Sequence, residues 1–162
     1  TGLKQDSLGA ATPWFQGKGD PGSDLETALQ GLVRAGHTFG PALRAVTDAA
    51  PSDRRLERAW VELLEYFDGL VADRIEKDQK AGRIPDFDAR PVAIALNRMD
   101  ASTLSYHFGR RPQSDPDLVY ESIRRVWIST LYCAGRRSRS PGSLPPLACS
   151  NCAGTPRKKG KR

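Results

Sequence analysis

The sequence predicts an all-α fold of about five helices. Three observations carry this. Apolar residues recur at spacings of three and four over long stretches, no stretch alternates with the period of a strand, and capping residues stand ahead of the apolar runs. The length of 162 residues, 38% of them hydrophobic, suits one domain with a substantial core.

The first 22 residues are broken by Gly and Pro, with Trp14 and Phe15 placed to pack on something. Ser23 followed by Glu26 forms a capping box ahead of Leu25, Leu29, Leu32 and Val33, and Gly36 and Gly40 weaken the end of that helix. A short helix is expected from about Pro41, with Leu43 and Val46 inward. The strongest element lies between Ser52, a candidate cap, and Gly82, a candidate stop. In it Leu56, Trp60, Leu63, Leu64, Phe67, Leu70, Val71 and Ile75 form one stripe. A turn follows, with Asp88 as a cap and Pro91 near the start of a helix over 89–108. After the break "GRRPQSDPD", a last helix over about 116–133 buries Val119, Ile123, Val126, Trp127, Thr130 and Leu131.

Charge is unevenly distributed. Residues 136–162 hold eight of the 25 Lys and Arg and no acid, so the first 135 residues keep 17 bases against 19 acids. The tail is rich in Ser, Pro and Gly and reads as disordered and solvated. Three cysteines make no disulfide framework; Cys149 and Cys152 form a C-x-x-C in the tail with no second pair, and no cofactor or metal site is expected. No run approaches the roughly 18 apolar residues of a membrane span. No secretory signal leads the chain, and the protein reads as cytoplasmic.

The stretch "ALNRMDASTLSYHF" holds the unusual feature. On a wheel of about 100° per residue with Leu96 at zero, Asp100 falls near 40°, Leu104 near 80°, Asn97 near 100° and Phe108 near 120°. An amide and an acid are thus interleaved with Leu and Phe, away from a wet side assigned to Arg98, Ser102 and Ser105. Unpartnered burial of either costs on the order of 1–3 kcal/mol. Either each bonds another protein group, which pattern alone favours, or both line a cavity and hold the polar part of an apolar ligand.

"ALNRMDASTLSYHFG" followed by "DLVYESIRRVWISTLYC" resembles the C-terminal regulatory domain of TetR-family transcriptional repressors, and is similar to the ethionamide-resistance repressor branch. The resemblance extends back through "RAWVELLEYFDGLVADRIEKDQKAGRIP" and "GDPGSDLETALQGLV", and the entry "WFQGKGDP" is typical of the branch. It implies a helical ligand-binding and dimerisation domain over 23–134, whose last two helices form a four-helix interface in a homodimer. Ile94, Ala95, Tyr106, Ile128 and Tyr132 carry apolar or small surface to spare on those helices. It also implies a tunnel for a small amphipathic ligand, with Asn97 and Asp100 as its polar pair and Trp60, Phe67, Met99, Leu104 and Trp127 as lining. The family usually has Asn where this chain has Asp100. Residues 1–22 would be the remnant of a linking helix and loop, 135–162 a basic tail. The helix-turn-helix domain that binds operator DNA would be absent.

Two other readings compete. One is a small helical enzyme or binding protein with an apolar pocket, using Asp100 and His107; the missing nucleophile and the i, i+7 spacing argue against it. The other is a non-specific nucleic-acid binder acting through the tail, which lacks the aromatic residues of a single-strand platform.

Overall fold

A computed structural model describes residues 2–132. The basic tail and the Cys149–Cys152 pair lie outside the described residues. Five α-helices appear in the order α1 (Gly2–Gln16), α2 (Pro21–Ala49), α3 (Arg54–Lys80), α4 (Ala89–Phe108) and α5 (Pro116–Leu131), with a single 3₁₀ turn at Ala50–Ser52. No strand occurs among the described residues.

The helix starts are set by aspartates. Asp20 Oδ2 accepts from Ser23 N at 2.8 Å, Asp53 Oδ1 from Arg55 N at 2.9 Å, Asp88 Oδ1 from Arg90 N and Asp115 Oδ1 from Asp117 N. Asp88 was expected as a cap. Ser23 and Ser52 were expected as caps and are not: each has an aspartate beside its helix start, and Pro21 occupies the first turn of α2 without losing a needed N–H. Gly82, at φ +67°, ends α3 as expected.

The helix count matches the expectation, but the helices are divided differently. The segment before residue 22 is helical as α1, and its Ala11 and Trp14 are core residues. The two helices expected between 23 and 50 are one continuous α2. Gly36, Gly40 and Pro41 look like breakers, yet each has a tertiary role or remedy. A Cβ on Gly36 would meet Leu104 Cδ2 at 2.7 Å, and one on Gly40 would meet the Phe108 carbonyl oxygen at 2.4 Å, so these glycines let α4 press onto α2. Pro41 has no N–H for the His37 carbonyl one turn back. Gln113 Nε2 bonds that carbonyl instead, at 3.0 Å, and also bonds the Phe108 carbonyl at the end of α4.

α2 packs on every other α-helix, and α4 packs on α2, α3 and α5. That corrects the wet side assigned to α4: Ser105 is buried, with its Oγ 3.3 Å from Thr47 Oγ1, because α2 covers that flank. The inward stripe of α5 is Val119, Ile123, Trp127 and Leu131, at intervals of four. Val126 falls off this row and is 39% exposed, against expectation.

Candidate ligand-binding cavity

All five helices contribute to the wall of a cavity of about 830 Å³, its mouth included. α1 supplies Trp14 and Phe15, α2 a row of Leu and Ala from Leu25 to Leu43, and α3 Trp60, Leu63, Leu64, Phe67 and Val71. The wall is apolar except for the indole N–H groups and two side chains, Asn97 and Asp100 of α4.

Asp100 is buried at 5% exposure and accepts from Trp127 Nε1 with both oxygens, at 3.1 Å each. Among the described residues, no cation is bonded to it. Burial in this apolar wall pushes its carboxyl up to about 8, with the Trp127 bond only partly opposing the shift. At neutral pH the empty site therefore holds mostly the uncharged acid, which has a hydroxyl to donate and an oxygen that accepts from Trp127.

Asn97 is tied differently. Its Nδ2 donates to Asp68 Oδ1 at 2.8 Å, and Arg98 donates to both oxygens of the same buried carboxylate at 3.2 and 3.0 Å. Asn97 therefore lines the cavity while bracing an ion pair behind it. Arg98, assigned to the wet side, is partly covered by this pairing.

A second buried network joins α1 to the rest. Arg74 and Asp78 pair at 3.0 Å, both at 1% exposure, and Arg83 donates to the other Asp78 oxygen at 2.9 Å. Arg74 also donates to the Trp14 carbonyl. Tyr132 donates to Asp78 at 2.9 Å and accepts from Trp14 Nε1 at 3.2 Å; burial pushes its phenol up to about 12. The Trp14 ring meets the Trp127 ring edge-on at 5.8 Å, so this network abuts the cavity wall.

The structure thus places Asn97, Asp100, Trp60, Phe67, Leu104 and Trp127 on one wall. Met99 is not on it. One residue before Asp100, it is turned about 100° around the helix and packs partly buried against the core. Asp100 and His107 are not brought together: His107 Nδ1 lies 2.9 Å from Ser114 Oγ. Ile94 and Ile128 are half-buried and Tyr106 is 75% exposed, whereas Tyr132 is held by the Asp78 network. Sequence reasoning passed over Asp68 and Asp78. Spacing gave a signal, since Asp68 falls in register with Leu64, Val71 and Ile75, and Asp78 follows three residues later.

A family model described as "Transcriptional regulator EthR, C-terminal domain" matches residues 25–133. The chain belongs to this family. The match covers nearly all of α2 and the whole of α3, α4 and α5, so the regulator C-terminal domain accounts for most of the cavity wall. Ala11, Trp14 and Phe15, the part of the wall that α1 provides, precede the matched segment. No curated protein matches the chain. Among the described residues, no helix is long and apolar enough to cross a membrane.

Proposed function

We propose that this chain is the ligand-sensing and dimerising part of a cytoplasmic TetR-like transcriptional repressor. A small amphipathic molecule occupies the cavity, and its binding controls release of operator DNA held by a DNA-binding domain outside this chain. The observation that carries the reading is the wall itself: a large apolar cavity at the centre of a regulator domain, with an acid and an amide on one helix face. Its apolar part offers affinity, and its few polar groups orient the ligand. Among the described residues that line the cavity there is no Ser, Thr, Cys or Lys beside Asp100 and Trp127, which favours binding over catalysis.

The homodimer is assigned to α4 and α5. Of five exposed large hydrophobic side chains among the described residues, Tyr106, Leu118 and Val126 lie on these two helices. A two-fold pairing would cover them together with Ile94 and Ile128. Sedimentation should give a dimer at micromolar concentration, and a monomer would reject the assignment.

Ligand sensing is tested by thermal melts with a panel of amphipathic small molecules. A ligand at a hundred times its Kd should stabilise the chain by about 2.7 kcal/mol. Ala28→Phe, which puts a ring into the cavity from α2, should abolish the shift. Equal shifts in both proteins would place binding elsewhere.

A further inference from the structure

The cavity wall combines two features that point to one ligand chemistry. The first is aromatic: Trp14, Phe15, Trp60, Phe67 and Trp127 come from three different helices and face the same space. Ring faces carry negative quadrupole charge and attract ammonium groups, most strongly when water is excluded. The chain already uses one such ring this way, with the Arg74 guanidinium 5.4 Å from the Trp14 ring centre. The second is Asp100, an acid to which no described residue bonds a cation, on a wall that is apolar apart from Asn97 and the indole N–H groups.

Among the described residues, no other lining side chain titrates. α1 and α2 present only aromatic, Leu and Ala side chains, α3 only Trp, Phe, Leu and Val, and α5 only Trp127. The remaining buried charges are closed on each other, Asp68 with Arg98 and Asp78 with Arg74 and Arg83. None of the described residues therefore supplies a positive charge to Asp100, which leaves that role to a ligand.

We propose that the cavity takes a cationic amphiphile, with an ammonium head seated against Asp100 among the aromatic rings and an alkyl or aryl body along the Leu-rich wall of α2. This rests on reading the cavity as a ligand site. An anionic amphiphile such as a fatty-acid carboxylate is disfavoured, since it cannot pair with Asp100 once the acid has ionised. A neutral alcohol can bond either form of the acid but brings no charge to compensate the ionised one. The cation instead displaces the proton from Asp100, so binding releases a proton and strengthens as pH rises.

The test uses the full 162-residue chain and its own fluorescence, because all three tryptophans line the cavity. Decyltrimethylammonium, whose charge does not titrate, 1-decanol and decanoate are each titrated at pH 6 and pH 8.5. The ammonium should bind at least about tenfold more tightly than decanol at pH 8.5, and its affinity should fall by up to about tenfold per pH unit below 8. Asp100→Asn keeps an acceptor for Trp127 and should erase both the preference and its pH dependence while decanol still binds. Decanol binding as tightly as the ammonium at both pH values would overturn the inference and leave the cavity reading intact. An ammonium preference equal at pH 6 and 8.5, or one retained in Asp100→Asn, would also overturn it. Failure of all three compounds to bind at either pH would overturn both the inference and the cavity reading.

Discussion

Asp78 and Asp100 are both buried acids on helices of the same bundle, and their surroundings differ in one respect. Asp78 faces two arginines and a tyrosine hydroxyl, so its charge is compensated by the chain itself. Asp100 faces one indole N–H and otherwise Leu, Ala and aromatic carbon. A compensated buried acid fastens elements together, here α1, α3 and the end of α5. An uncompensated one keeps its proton and leaves bonding capacity directed at a cavity. The comparison separates structural polarity from functional polarity within a single core.

The sharpest way to break the comparison is to remove the compensated acid. Asp78→Ala leaves Arg74 buried without its carboxylate and should destabilise the fold by about 3–5 kcal/mol in chemical denaturation. A loss no larger than that of an exposed substitution would mean that the network carries little.

Asp100→Asn should act in the opposite direction, and only above acidic pH. The folded-state carboxyl titrates near 8, far above its ordinary value of 3.8, so the native state holds a proton that the unfolded chain releases. The stabilisation associated with that proton is fully present below about pH 4 and is lost as pH rises through 8. The neutral amide is free of this loss. The variant should match the wild type at pH 4 and gain on it by about 1.4 kcal/mol for each pH unit until the folded carboxyl itself ionises near 8. Parallel stability curves from pH 4 to 8.5 would show that Asp100 is compensated after all.

Asn97 tests the border between the two classes, because it lines the cavity and also bonds Asp68. Asn97→Leu removes one donor from a carboxylate that keeps Arg98 on both oxygens, so the cost in thermal melts should be about 1 kcal/mol. A gain in stability would place Asn97 with Asp100 as a ligand-directed group.

What the sequence showed and what it hid follow the same division. α3, α4 and α5 were legible because each carries its own periodic stripe, and the acid and amide stood out because they interrupt one. The continuity of α2 was not legible. Gly36, Gly40 and Pro41 read locally as a break, and the contacts that accommodate them come from Leu104, Phe108 and Gln113, far along the chain. α1 was hidden from pattern reading for a similar reason, and only the family resemblance suggested a linking helix there: Gly9 and Pro13 dilute its pattern, and its stability rests on packing against α2 and on Trp14. The candidate site was half legible. Asp100, Asn97, Trp60 and Trp127 could be named, but whether an acid has a cation beside it depends on which arginines the fold brings near. Arg98 reaching Asp68, and Arg74 with Arg83 reaching Asp78, are arrangements that helical spacing alone does not reveal.

The central claim is that the described residues leave Asp100 without a compensating charge. Carbon-13 NMR titration of its carboxyl in the empty protein, with the resonance assigned by its disappearance in Asp100→Asn, measures this directly. The account predicts a midpoint near pH 8. A midpoint in the ordinary carboxylate range, near 4, would contradict it.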